Sequence, residues 1–131
     1  NIVWHSANEV HTGNALCVKH LDAYTVKRSK LSESGDRGWF IGDFDKAAFR
    51  TKDFEVNYQE NDLRVAPTHT HKQVTEIFLV LEGKMKINNE LFVTGDICIL
   101  EPGDINAIEY LEHTKTVTIK TPALPLDKIL L

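Results

Sequence analysis

Cysteine is scarce in this sequence: there are two, Cys17 and Cys98, in 131 residues. They stand far apart among apolar neighbours, which argues against a disulfide framework and against a cysteine zinc site. Two buried thiols in a cytoplasmic protein are the expectation. No apolar run approaches the roughly 20 residues that a membrane-spanning helix needs. The opening stretch NIVWHSANEV has no basic segment followed by an apolar one, so no secretory signal is expected. The first residue is not Met, which leaves an upstream segment open. A basic excess is missing too. The net charge of −4 argues against nucleic acid and against an anionic membrane surface as partners. The one basic cluster, Lys27, Arg28 and Lys30, reads as a solvated loop or strand edge. Helical periodicity is sparse, and repeats, low-complexity tracts and linkers are absent.

What is present fits one folded domain over residues 1–131. A chain of this length can bury about two-thirds of its unfolded surface and needs no covalent staple. Short strand patterns separated by tight turns dominate. NALCVKHL, AYTVKRSKL and GWFIGDF are strand candidates within an N-terminal part, residues 1–54. SESGDRG reads as a loop, and FDKAAF as one helical turn or a bulge. DFEVNYQE alternates, with Phe54, Val56 and Tyr58 on one face and Glu55, Asn57 and Gln59 on the other. NDLRVAP predicts a turn and a short strand. THTH predicts a short strand, and VTEIFLVLEG a strand buried on both faces. KMKINNELFV predicts a hairpin turning at Asn88–Asn89, residues that tolerate positive φ. ICIL, INAIEYL and TKTVTIKT complete the series. The tail, residues 121–131, is broken by Pro122 and Pro125 and is expected along a sheet edge or gripping a neighbouring subunit. So many short strands imply an all-β sandwich or barrel. Exposed strand edges in such a domain are commonly paired between subunits, so a homodimer is expected.

One stretch carries chemistry. In PTHTHKQVTEIFLVLEG, His69 and His71 are two positions apart, so on a strand both side chains share a face. Two adjacent imidazoles can donate nitrogen to a divalent metal. Glu76 follows inside an apolar strand. A carboxylate buried there costs several kcal/mol, on the order of the penalty for any uncompensated ion, unless a charge or hydrogen bonds offset it. A metal would offset it. The bland alternative keeps Glu76 in solvent with Ile77 and Leu79 inward.

The stretch resembles the first motif of the cupin superfamily: HxH, then Glu, then Gly. Here His69-Thr70-His71 is followed by four residues, Glu76, six residues and Gly83. Leu63 stands where that family usually has a glycine. The second cupin motif resembles GDICILEPGDIN, from Gly95-Asp96 to Gly103. Glu101 replaces the usual proline, Pro102 falls one place later, and Asn106 replaces the closing histidine. Tyr110 stands where a final asparagine is common. The resemblance covers about residues 55–120. It implies a cupin jelly-roll barrel, a double-stranded β-helix, with a pocket lined by His69, His71, Glu76 and Asn106.

By parity, an inward Glu76 brings Phe78 and Val80 inward, and an inward Asn106 brings Ile108 and Tyr110. With Tyr58, these make a mostly apolar pocket for a small molecule. Gln73 reads as a turn residue. His5, His11, His20 and His113 stand in no ligand spacing, and Trp4 and Trp39 read as packing or interface residues. Three functions are compatible. The first is a metal-dependent enzyme of oxygenase, isomerase or hydrolase type, using Fe, Mn, Zn or Ni. The second is a metal-free enzyme like the sugar-nucleotide ketoisomerases. The third is a sensor, storage or assembly module. Arg64 is the only arginine near the first motif, a poor supply of charge for a diphosphate.

Overall fold

The computed structural model describes residues 26–131. Trp4, His5, His11, Cys17 and His20, the NALCVKHL strand and the start of AYTVKRSKL lie outside the described residues. Residues 26–30, the next part of that expected strand, take no regular structure; Lys27, Arg28 and Lys30 are exposed there. Two 3₁₀ turns follow, Leu31–Glu33 and Asp36–Gly38.

Thirteen strands follow in the described residues: β1 (Trp39–Gly42), β2 (Phe49–Arg50), β3 (Glu55–Asn61), β4 (Arg64–Val65), β5 (His69–His71), β6 (Thr75–Glu82), β7 (Lys84–Ile87), β8 (Glu90–Val93), β9 (Ile97–Leu100), β10 (Ile105–Asn106), β11 (Ile108–Tyr110), β12 (Thr114–Thr121) and β13 (Lys128–Leu130). They form three sheets, in the orders β2-β1-β3-β12-β6-β9, β10-β5-β13 and β4-β11-β7-β8. Every pair is antiparallel except β1–β2.

Local chemistry explains the turns. Asn88 and Asn89 take φ of 51° and 66° between β7 and β8, the paired left-handed geometry of a two-residue hairpin. Gly83 has φ of 104°, and a Cβ there would lie 2.6 Å from the His113 carbonyl oxygen and from Thr114 Oγ1. Only glycine lets β6 turn into β7 so close to β12. The FDKAAF stretch forms a single turn, with the Ala47 amide donating to the Phe44 carbonyl at 3.2 Å.

Two strand expectations need correction. INAIEYL is two strands, not one. Ala107 leaves the ladder because Asn88 claims it: the Ala107 amide donates to Asn88 Oδ1, and the Asn88 amide donates to the Ala107 carbonyl. β10 then joins β5 while β11 joins β4 and β7. Nor is VTEIFLVLEG buried on both faces. In β6 only Glu76, Phe78 and Val80 are buried, and the alternate residues are partly exposed.

The register of the six-stranded sheet sorts its side chains. Lys120, Glu76 and Leu100 lie side by side, as do Thr118, Phe78 and Cys98. These face the interior. Val56, Ile119, Ile77 and Ile99 form the opposite row, on the outer face. The apolar part of the interior is built by Phe78, Val80, Met85, Ile87, Cys98, Leu100, Ile108 and Tyr110. Met85 and Ile87 are almost wholly excluded from solvent, and each contributes about 1.5–3 kcal/mol through that burial. Cys98 has no disulfide partner among the described residues. No helix among these residues is long and apolar enough to cross a membrane.

Candidate metal centre

Strand alternation turns His69 and His71 inward together, with Thr70 between them partly exposed. The chain then bends through Lys72 and Gln73 into β6, which brings Glu76 back towards the two rings. The bend is held from the tail. Asp127 Oδ2 accepts hydrogen bonds from the amides of Gln73 at 2.9 Å and Val74 at 3.0 Å. Gln73 is thus a bend residue, as expected.

The three side chains converge. Glu76 Oε1 lies 3.9 Å from His69 Nε2 and 3.6 Å from His71 Nε2. The imidazole rings meet edge to face with centroids 5.0 Å apart. One nitrogen from each histidine and one carboxylate oxygen all lie within 4.8 Å of one another. All three residues are buried.

The acceptor on the far side of each ring, a hydrogen bond for His69 and a nearby carboxylate for His71, aims the near side. A carbonyl can only accept, so His69 Nδ1 must donate its proton to Pro67 O, at 3.3 Å, and Nε2 keeps its lone pair. His71 Nδ1 faces Asp127 Oδ2 at 4.0 Å, which favours the proton on that nitrogen and frees Nε2 towards Glu76. Burial pushes the His69 pKa down, only partly opposed by the Pro67 carbonyl, so the ring is neutral near pH 7. Burial pushes the Glu76 carboxyl up. The His71 ring, the Lys120 ammonium and His69 outweigh it together and hold the acid below the usual carboxylate range. Lys120 Nζ is 3.8 Å from Glu76 Oε2. Burial likewise raises the Asp127 carboxyl, but the amides it accepts from hold it down.

Asn106 is the fourth member. It sits beside His69 in the β5–β10 ladder, and its Nδ2 donates to Glu76 Oε1. Among the described residues His71 Nδ1, His71 Nε2 and Asn106 Oδ1 are buried without a hydrogen-bond partner. A buried polar atom left so costs about 1–3 kcal/mol. Two imidazole nitrogens and one carboxylate on one side, with open space opposite, is the facial donor set that divalent first-row metals accept. These residues therefore fit such an ion, with His69, His71 and Glu76 as its holders.

The space opposite is an open cavity of about 1230 Å³, lined by the three candidates and by Asn106, Phe78, Ile108 and Tyr110 among others. Of the residues grouped by parity, Phe78, Ile108 and Tyr110 line the cavity, while Val80 belongs to the apolar core. Tyr58 borders the same cavity but alternates with the buried Asn57, and its neighbour on β12 is the outer-row Val117. His113 is exposed, paired with Asp62 at 2.7 Å and Glu60 at 3.0 Å, and takes no part. Trp39 packs under a lysine, its ring centroid 4.9 Å from Lys120 Nζ. A smaller hollow of about 160 Å³ beside Val65, Lys86 and Asn88 gathers no ligating cluster.

The sequence reasoning missed Asn57, Lys120, Asp127 and Lys128. The first two carried a signal. On β3 and β12 the polar residues alternate with a continuous apolar set, so either set can be the inner one. Here the polar set is inside: Asn57, Thr114, Thr116 and Thr118 are buried. Asp127 and Lys128 gave none, because their placement depends on a long-range pairing.

No protein-family model matches the sequence, and no curated protein matches it. Solved structures do share the fold. A double-stranded β-helix protein from Klebsiella pneumoniae subsp. pneumoniae MGH 78578 aligns with TM-score 0.56 and 16% identity, over 81% of this chain and 97% of its own. The DMSP lyase DddQ from Ruegeria pomeroyi DSS-3 aligns with TM-score 0.55 and 19% identity, over 82% of this chain and 61% of its own. A protein with a cupin-like fold from Ralstonia eutropha JMP134 aligns with TM-score 0.51 and 10% identity, over 71% of this chain and 60% of its own. The chain therefore has the cupin fold, the double-stranded β-helix, as its two motifs imply.

Proposed function

We propose that this protein binds a divalent metal through His69, His71 and Glu76 and presents it to a small molecule in the adjoining cavity, as an enzyme. The observation that carries the reading is the pair of unpartnered nitrogens on buried His71, one of them aimed at Glu76. Fold alone does not choose a reaction, since one scaffold hosts many chemistries.

When bound, the ion would act as a Lewis acid on a substrate oxygen. The chain's own residues do the rest. Pro67 fixes the His69 tautomer, and Asp127 holds the bend before Glu76 while facing the His71 ring. Asn106 steadies the carboxylate by hydrogen bonding to it. Phe78, Ile108 and Tyr110 form the apolar wall that limits water.

A second, metal-free reading draws on one observation: Lys120 and Asn106 already compensate the Glu76 charge. Elemental analysis separates the two. Protein purified without chelator is expected to carry about one Mn, Fe, Zn or Ni per chain, as a facial three-donor site does. Metal-free protein with full ligand binding would favour the second reading instead.

For the assembly, we propose a homodimer. The outer face of the six-stranded sheet presents Val56, Val117, Ile119, Ile77, Leu79, Ile97 and Ile99, and the last two are 60% exposed. Apolar surface on that scale marks an interaction site, and a second copy is the commonest occupant. Sedimentation should give a dimer that Ile99→Lys dissociates; an unchanged mass for the variant counts against this face.

A further inference from the structure

Two lysines flank the proposed centre by register. Lys120 on β12 lies directly opposite Glu76 on β6, and Lys128 on β13 lies directly opposite His71 on β5. Directly opposed residues in antiparallel strands share a face, so both ammonium groups are carried on the side of the sheets that holds the ligand candidates. Arg37 joins them from the 3₁₀ turn before β1, held in a left-handed conformation at φ of 52°. All three line the cavity that contains His69, His71 and Glu76.

Their charges are poorly spent inside the protein. Lys120 has Glu76 Oε2 at 3.8 Å, on a carboxylate that the proposed metal would share. Among the described residues neither Lys128 nor Arg37 has a carboxylate within that distance. Burial, then the charges of Lys120 and Arg37, push the Lys128 ammonium below the usual lysine range. Glu76 opposes the two neighbours only in part. Glu55, opposite Lys120 on β3, is the nearest spare acid by register, and burial pushes its carboxyl upward against the pull of Lys120. Asp36, Asp45 and Glu60 also line the cavity, exposed to solvent as Arg37 and Lys128 are. Three cations thus stand beside the proposed divalent-metal site.

We infer that Lys120, Lys128 and Arg37 form an anion-binding subsite next to the His69–His71–Glu76 cluster, so that the cavity takes a small carboxylate-bearing molecule. The inference rests on the reading of this cavity as a small-molecule site and adds the class of that molecule. The acid group would be held by charge-assisted hydrogen bonds from the lysines and the guanidinium, leaving a second oxygen of the molecule for the metal. A phosphate ester is less suited: among the described residues only Arg37 and Arg64 line the cavity as planar, bidentate donors.

Malonate is the probe, and malonamide, its neutral diamide, is the control. Calorimetric titration into Mn(II)-loaded protein is expected to give saturable malonate binding and no malonamide binding. Lys128→Gln and Arg37→Gln both alter exposed residues and should leave the fold intact. Each should weaken malonate at least about tenfold, the value of one charge-assisted hydrogen bond. Neither should lower Mn(II) affinity, because removing a cation cannot repel another. Undiminished malonate binding in both variants would overturn the subsite, as would malonamide binding as tightly as malonate. Absence of malonate binding to metal-loaded protein would overturn it while the metal centre stands. Conversely, protein that takes up no metal yet binds malonate through Lys128 and Arg37 keeps the subsite and refutes the centre.

Discussion

Along the inward side of β6, Glu76 gives way to Phe78 and then Val80, and the two ends of the interior follow different rules. Around Phe78, Val80, Met85 and Ile87 the side chains are apolar, buried and matched to one another. Around Glu76 the interior collects two histidines, an asparagine and a lysine, and several of their atoms have no protein partner. One end is arranged for stability. The other end retains unmet bonding capacity, and retained capacity of that kind is what a ligand uses. The difference teaches where to expect each kind of damage.

The largest effect separating the two ends should come from His71→Ala. Loss of a ligand should weaken metal binding by more than the roughly 100-fold that changes in supporting residues reach. Its cost to the stability of the metal-free protein should stay within about 1 kcal/mol, since site residues are seldom optimised for stability. Chelator competition and urea unfolding measure the two quantities. Met85→Ala is the mirror image. It should destabilise the fold by about 2–5 kcal/mol while the folded fraction keeps its metal affinity. If Met85→Ala released the metal, or His71→Ala unfolded the chain, the division between the ends would be broken.

A smaller effect is expected from Asp127→Asn, which weakens the carboxylate facing His71 Nδ1. Metal affinity should fall about 10–100-fold, the range for a partner behind a ligand. An unchanged affinity would confine Asp127 to holding the bend. The smallest effect lies outside both ends. Asp62 first, and Glu60 second, raise the pKa of exposed His113 above its ordinary 6.5. A raised folded value means that this contribution to stability is fully present below about pH 6.5 and fades as pH rises through the folded value. His113→Gln should remove that slope, and added salt should flatten it in the parent protein.

The same contrast explains what could be read from the residues alone. Phe78, Val80, Ile108 and Tyr110 follow from parity once Glu76 and Asn106 are taken inward. His69, His71, Glu76 and Gly83 are local in sequence, and a strand's alternation is enough to group them. Asn88–Asn89 announces its turn by residue type. Lys120 was obscured because TKTVTIKT has a polar and an apolar face, and the usual expectation puts the apolar one inside. β12 does the reverse: Thr114, Thr116 and Thr118 are buried, and Val117 and Ile119 are turned outward. Asp127 and Lys128 were beyond reach for another reason. Nothing near them says that residues 128–130 pair with residues 69–71. The strand written as INAIEYL was misread because its break at Ala107 is imposed by Asn88, a residue of a distant hairpin.

The most direct test of the central claim is anomalous scattering from crystals of protein purified without chelator. The account predicts a single strong peak bounded by Nε2 of His69, Nε2 of His71 and the Glu76 carboxylate, with an absorption edge of a first-row divalent metal. A map with no peak there, from protein that elemental analysis shows to be fully loaded, would contradict it.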